Sequence, residues 1–371
     1  MSPPDPYVVG SDPAGWEVKA QGPIRFAWDY DEGRAQLLTL YRKGKEKQWD
    51  ADRRIDWDLP VDRDDPLRLP PQIQPLYDTP LWRRLSHDDR AELARHGMAW
   101  QFSQFLHGEQ GALLCAARIV DTVPDMDAKF YAATQVADEA RHAEIYARFL
   151  KEKIGLRYPI NRSLMHLLDD TLGDSRWDLP YLGMQVLVEG VALAAFGVLR
   201  DTTEEQLPEQ ILTYIMQDEA RHVAFGRLAL RDYYRNLTSA ERAEREEFLI
   251  EGCRLMRDRM RGEEVFHALG LPVAEAVEAI EHSQYLRAFR RLLFNRIVPC
   301  VRDIGLWGPN VRRAFAELGV LHLVDADLDE MMDEDEEHAA DMDAERQWAV
   351  EEAERTGEIM HTVARGEEVS R

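Results

Sequence analysis

The pentapeptide Asp138-Glu139-Ala140-Arg141-His142 occurs a second time, unchanged, as Asp218-Glu219-Ala220-Arg221-His222. Each copy contains Glu-x-x-His. Residues three apart on an α-helix share a face, so one carboxylate oxygen and one imidazole nitrogen point the same way. That is half of a metal site. Two further Glu-x-x-His pairs, Glu264/His267 and Glu358/His361, lack the surrounding repeat and read as chance pairs on solvated helices.

What separates the repeated copies from these pairs lies upstream. Glu109 precedes Glu139 by 30 residues (139 − 109), and Glu189 precedes Glu219 by 30 (219 − 189). The same step back from Glu264 and Glu358 reaches Tyr234 and Leu328. Such a spacing suits an antiparallel hairpin of two helices of about 12 to 15 residues each, at about 1.5 Å rise per residue, joined by a short loop. The first Glu and the distal Glu-x-x-His then come level. Two hairpins packed face to face predict that Glu109, Glu139, His142, Glu189, Glu219 and His222 converge on one point. The expected fold class is all-α: a four-helix bundle around a dinuclear metal site, with extra helices and an N-terminal arm.

This ligand set resembles that of the ferritin-like di-iron and di-manganese carboxylate proteins. The resemblance implies two iron ions, or manganese with iron, and O2 as co-substrate. Carboxylate-rich, nitrogen-poor donors suit iron(II) or manganese(II), whereas zinc favours more His or Cys. Four Glu and two His leave coordination positions open on two octahedral ions. The resemblance also implies that Asp138 and Asp218 each accept a hydrogen bond from the histidine of the opposite hairpin, fixing ring orientation and raising basicity. Arg141 and Arg221 are read as charge balance for these acids.

Composition agrees with an enzyme of this kind. The 371 residues are 45% hydrophobic, enough for a large core, and the formal charge of −23 argues against nucleic acid or an anionic membrane as partner. Cys115, Cys253 and Cys300 are far apart without metal-site spacing and read as buried thiols in a reducing cytoplasm. The N-terminus lacks a basic, apolar signal sequence, so a cytoplasmic protein is expected. Leu179 to Leu199 is apolar enough to cross a bilayer, but Glu189 at its centre would be costly in lipid, so a fully buried bundle helix is expected.

In chain order, residues 1–80 are expected to form a Pro- and Asp-rich arm with a helix over Gly33 to Lys47 and, loosely, a hairpin within Trp16 to Trp28. Residues 81–323 form the metal domain with its added helices, and 324–371 an acidic helix or tail. The bundle helices are expected from Ser86 to Val123, Met126 to Lys153, Pro180 to Arg200 and Pro208 to Asn236, with a loop over Tyr158 to Asp178. Outer helices are expected over Ser239 to Ala268, Ala274 to His282 and Gln284 to Ile304.

The repeated motif is also similar to the acidic-Glu-x-Arg-His motif of bacterial multicomponent monooxygenases and plant acyl-carrier-protein desaturases. Those usually carry Thr three or four residues after the third-ligand Glu, where this chain has Ala192 and Leu193. Lys45-Glu46-Lys47-Gln48-Trp49 followed by Ile55-Asp56-Trp57 resembles the segment before the bundle in the ribonucleotide reductase small subunit and its oxidase relatives. That resemblance implies a hydrogen-bonded chain from Trp49 through Asp218 to His142. It also implies a radical-forming tyrosine at Tyr146, with Leu193, Gly197 and Ile215 as apolar neighbours. The arylamine N-oxygenases add a third histidine four residues before a Glu; here Ile215 stands four before Glu219.

Residues that share a helix face with a ligand nominate a pocket of Phe105, Ala112, Gln135, Gln185, Leu193, Phe196 and Ile215, apolar apart from two amides. A small organic substrate, an electron donor such as a reductase or ferredoxin, and a homodimer are the expected partners. The function expected is O2-dependent oxidation or oxygenation of that substrate. A tyrosyl-radical oxidase and a non-catalytic iron-binding protein are the alternatives.

Overall fold

The structure, a computed structural model, describes residues 24–25, 33–77 and 79–364, and none of these forms a β-strand. The expected hairpin within Trp16 to Trp28 lies outside the described residues except for Ile24 and Arg25. Among the described residues fifteen α-helices follow one another. α1 (Ala35–Glu46), α2 (Ala51–Arg54) and α3 (Pro80–Arg84) lie in the N-terminal segment, and α4 (His87–Thr122), α5 (Met126–Phe149), α7 (Glu189–Thr202) and α8 (Gln206–Tyr234) form the bundle, with α6 (Arg162–Gly173) between its two halves. Beyond them come α9 (Ser239–Arg259), α10 (Glu263–Ala268), α11 (Val273–His282), α12 (Gln284–Leu292), α13 (Ile297–Asp303), α14 (Pro309–Glu317) and α15 (Leu328–Ala364).

Local chemistry sets the bundle's turns. Ser86 and Asp89 form a reciprocal capping box at the start of α4, satisfying backbone N–H groups that the first turn leaves without partners. Asp125 caps α5 by accepting from the Ala128 N–H at 2.8 Å, directly after Pro124 closes α4. α5 loosens into a π-turn over Leu150–Ile154 and ends on Gly155 at φ 71°, a left-handed conformation that glycine adopts without strain. The second hairpin opens with a π-helical stretch, Tyr181–Val188, which passes into α7 at Glu189.

The two hairpins meet closely. At Gly226 on α8 an added Cβ would lie 2.5 Å from the Cβ of Gln185, so only glycine lets α8 approach the π-helical stretch this nearly. The apolar run Tyr181–Thr202 is 83% buried across its most hydrophobic window and is the core helix of this bundle. Cys115, Cys253 and Cys300 are buried free thiols.

Three expectations change, and the C-terminal segment, expected as helix or tail, takes one of the two forms. The stretch Tyr158 to Asp178 is not all loop: Asn161 caps α6, whose Leu164, Leu167, Leu168 and Leu172 are buried. The helix expected over Ser239 to Ala268 breaks at Gly262 (φ 59°), giving α9 and α10. Gln284 to Ile304 likewise divides, because Pro299 cannot sit inside a continuous helix and instead falls in the first turn of α13. The acidic C-terminal segment is a helix that packs on α8: Asp335 is 2% exposed and accepts from Arg296 at 2.8 Å, and Glu336 accepts from Arg221 at 2.9 Å and Gln217 at 2.7 Å.

Candidate metal centre

Glu109 projects from α4, Glu139 and His142 from α5, Glu189 from α7, and Glu219 and His222 from α8; all six are between 0 and 5% exposed. They form two overlapping groups whose ligand atoms lie within 4.8 Å of one another: Glu109, Glu139, His142 and Glu219, and Glu139, Glu189, Glu219 and His222. Glu139 and Glu219 belong to both. Among the described residues no other His, Cys, Asp or Glu forms such a group, and Glu264 instead accepts from Asn161 Nδ2 at 2.5 Å.

The imidazoles divide their two nitrogens between separate tasks. His142 Nε2 lies 3.1 Å from Asp218 Oδ2, and His222 Nε2 lies 3.3 Å from Asp138 Oδ2, each aspartate belonging to the opposite hairpin. Both Nδ1 atoms face the carboxylates, 3.0 Å from Glu219 Oε1 for His142 and 3.1 Å from Glu139 Oε1 for His222. Although these distances are those of ion pairs, neither Nδ1 has a hydrogen-bond partner of acceptable geometry. Glu139 Oε2, Glu189 Oε2 and both Glu219 oxygens are also buried without one. Six orphaned atoms aimed at one centre are costly unless a cation receives them. Two divalent ions would match the four negative charges of Glu109, Glu139, Glu189 and Glu219 with both histidines neutral.

Protons are the alternative counter-charge. Burial, reinforced by the Glu219 charge, pushes the Glu109 and Glu189 carboxyls well above the usual range. Burial opposes protonation of His142 and His222, but the surrounding carboxylates outweigh it and raise both. Asp218 moves the other way: burial is overcome by Arg221, His142 and Arg141, which hold it ionised. Arg141 donates to Asp138 at 2.6 Å and Asp218 at 2.9 Å, and Arg221 donates to Asp218.

The N-terminal segment completes this outer layer. Trp49 Nε1 donates to Asp218 Oδ2 at 2.8 Å, so Trp49, Asp218 and His142 stand in one hydrogen-bonded line. The preceding residue does the same for the other half, Gln48 Nε2 donating to Asp138 Oδ1 at 2.6 Å. Sequence reasoning missed Gln48; its adjacency to Trp49 beside a repeated aspartate was the available signal. Tyr146 is fully buried among Phe102, Phe105 and Phe196, with ring centroids 5.7 to 6.1 Å away, and its hydroxyl has no partner. Burial, together with the Glu109, Glu219 and Glu139 charges, keeps that hydroxyl protonated.

A narrow cleft with about 450 Å³ of atom-free space reaches the cluster from one flank. Its free interior has room for about one water molecule. Of the nominated pocket residues, Phe105, Ala112 and Phe196 line it; Gln135, Gln185, Leu193 and Ile215 do not. A step of four residues rotates about 40° past a full turn, so residues four before and four after a ligand fall on opposite flanks. The cleft occupies one. Leu193 faces Ala224 and Met332 on the other side, while Ala192, three after Glu189, lines the cleft. Gln185 lies in the π-helical stretch, where the wider turn leaves a four-residue step short of a full circle and carries it to the opposite flank. Gln135 instead donates to Glu139 Oε1 and Glu189 Oε1, each at 2.9 Å, and accepts from Gln185 at 3.3 Å. Ile215 is buried core. Gln101, Met184, Arg259 and Met260 line the cleft and were not foreseen.

An all-helical bundle that gathers four glutamates and two histidines in this way defines a ferritin-like dinuclear carboxylate protein. The family model of the p-aminobenzoate N-oxygenases (AurF) matches residues 31–305, and the chain belongs to that family. It is a di-iron oxygenase or oxidase. Among solved structures, the dimanganese(II) NrdF of Streptococcus sanguinis is 12% identical, with 80% of this chain and 97% of that one covered at a TM-score of 0.50, which supports the fold. An R2-like ligand-binding oxidase with an aerobically reconstituted Mn/Fe cofactor is 15% identical, with 73% and 93% covered at a TM-score of 0.47. No curated protein matches the chain.

Proposed function

We propose that Glu109, Glu139, His142, Glu189, Glu219 and His222 would together hold two metal ions, one at each of the two ligand groups. The support is that the carboxylates of Glu139 and Glu219 are common to both ligand groups. Bound there, the ion pair supplies Lewis acidity and redox capacity toward O2. Asp138 and Asp218 hold the imidazoles so that Nδ1 faces the carboxylates and would be available to an ion, and Gln135 fixes Glu139 against Glu189.

The substrate is a small organic molecule oxidised in the cleft of Phe105, Ala112, Met184, Ala192 and Phe196. The observation that carries this is that Glu109, Glu189 and Glu219 line both the cleft and the metal cluster. Oxygenation of an amine nitrogen is the first reading, supported by the activity in the family's name. The chain departs from the arylamine N-oxygenase ligand pattern at Ile215, which offers no donor atom. Mass analysis of products from amine-bearing aromatics, with the Fe(II)-loaded protein, a chemical reductant and 18O2, tests the reading. Label in an N–O product supports it; O2 consumption without label in any product sinks it.

A tyrosyl-radical oxidase is the second reading, favoured by the burial of Tyr146 and by the line from Trp49 to His142. Trp49 also lines an open groove with Arg54 and Arg346, a surface where a reductase or ferredoxin would deliver electrons. We expect a cytoplasmic homodimer, which sizing and fractionation would test.

A further inference from the structure

The two halves of the centre are related by a shift of 80 residues (189 − 109, 219 − 139 and 222 − 142), and the same shift pairs Gln135 with Ile215 and Gln185 with Phe105. One half has two amides in these places; the other has two apolar side chains. Gln135 Nε2 donates to Glu139 Oε1 and to Glu189 Oε1, each at 2.9 Å, and Gln135 Oε1 accepts from Gln185 Nε2 at 3.3 Å. Both amides are 0% exposed. The second oxygens, Glu139 Oε2 and Glu189 Oε2, are left without partners. Glu109 stands where Glu189 stands in the other half, yet among the described residues no amide donates to it; its neighbour His142 Nδ1 lies 3.6 Å away.

Packing does not require the amides, since Phe105 and Ile215 fill the equivalent places, and a buried amide costs stability where its hydrogen bonds are not made. Gln185 Oε1 makes none. The backbone is nevertheless arranged for the pair. Regular helix leaves Phe105 on the flank of the cleft, whereas the π-helical turn over Tyr181–Val188 carries Gln185 round to Gln135, and Gly226 makes room for its Cβ. We infer that Gln135, held by Gln185, is a positioning residue that makes the two halves of the site unequal. It ties down one oxygen of each of two carboxylates in the group of Glu139, Glu189, Glu219 and His222. Donors fixed in advance lose less freedom when an ion arrives. Glu109 has no such tie. The Glu189 and His222 half therefore takes its ion first and more tightly, and the Glu109 and His142 half fills second and releases its ion more readily.

This inference rests on the reading that each ligand group takes an ion, and its test separates the two. Titrate the metal-free protein with Mn(II) alone, following free and bound ion by electron paramagnetic resonance, for the wild type, Gln135→Leu and Gln185→Leu, and record the melting temperature of each metal-free protein. The wild type should bind two ions in unequal steps, the first giving the signal of an isolated ion and the second that of a spin-coupled pair. Gln135→Leu should weaken the first step about 10- to 100-fold and the second far less. Gln185→Leu leaves both carboxylate bonds of Gln135 in place and keeps the test decisive should Gln135→Leu not fold; it should give a smaller loss of the same kind. The double variant should be no worse than Gln135→Leu alone. In a His142→Ala background, which leaves the His222 half, Gln135→Leu should keep its full effect, and in His222→Ala it should lose most of it. Two equal steps in the wild type, a first step unmoved by either substitution, equal weakening of both steps, or a larger effect in the His222→Ala background overturns the inference and leaves the two-ion reading in place. A wild type that binds fewer than two ions sinks that reading and the inference with it.

Discussion

Oδ2 of Asp218 lies 3.1 Å from Nε2 of His142, a contact between residues of two different hairpins. The same oxygen accepts from Trp49 Nε1 at 2.8 Å. One carboxylate thus joins the N-terminal segment to an imidazole whose other nitrogen faces the glutamate cluster, and the ring cannot turn without breaking that bond.

Asp218→Asn keeps the size but removes the charge that Arg141, Arg221 and His142 share. Outer partners of this kind are worth about 10- to 100-fold in metal affinity. Competition against a metal chelator should show the loss at one of two sites. Equal affinity in the variant and the wild type would remove the role given to Asp218.

Tyr146→Phe deletes a buried hydroxyl that has no partner. An unsatisfied hydroxyl in an apolar site costs about 1 kcal/mol or more, so the metal-free variant should melt no lower than the wild type and up to a few degrees higher. Metal content should not change. Any tyrosyl radical signal seen by electron paramagnetic resonance after Fe(II) and O2 should vanish; its persistence would place the radical elsewhere.

Metal loading should strengthen as pH rises. In the metal-free chain Glu109, Glu189, His142 and His222 all have raised values, so each holds its proton to higher pH than it would in water. Ions must displace those protons. For the same reason raised groups stabilise the empty fold at low pH and lose that contribution as pH climbs through their folded values. The gap in melting temperature between loaded and empty protein should widen from pH 6 to pH 8. Calorimetry in buffers of different ionisation enthalpy would count the released protons, and a count of zero would contradict the account.

Glu336 on α15 is the outer partner of the fully buried Arg221. Burial raises its carboxyl, but Arg221 and Gln217 outweigh this and lower it. A lowered carboxylate contributes stability above its unfolded value that disappears as pH falls through the folded one. Glu336→Gln should therefore destabilise at pH 7 by about 1 to 3 kcal/mol, with the difference from wild type shrinking toward pH 3. Denaturant melts at the two pH values decide it.

The ligand helices were legible because two constraints coincide: identical pentapeptides, and equal thirty-residue steps to Glu109 and Glu189. Trp49 was legible through its resemblance to a known segment rather than from periodicity. The cleft was half legible. Helical spacing tells which residues share a face with a ligand, but the flank that stays open depends on what packs against it, and Leu193 and Ile215 were lost to that. The π-helical turn that diverts Gln185 has no sequence signature. Arg259 and Glu336 were unreadable because they reach the centre from helices far along the chain, α9 and α15, whose placement is a tertiary fact.

The central claim is that six side chains from four helices hold two ions. Anaerobic Fe(II) titration of the metal-free protein, followed by elemental analysis after gel filtration, tests it most directly. The account predicts two irons per chain for the wild type, and for Glu139→Ala, which removes a carboxylate common to both groups, no retained pair. A wild-type endpoint below one iron, or a Glu139→Ala variant that still keeps two, would contradict it.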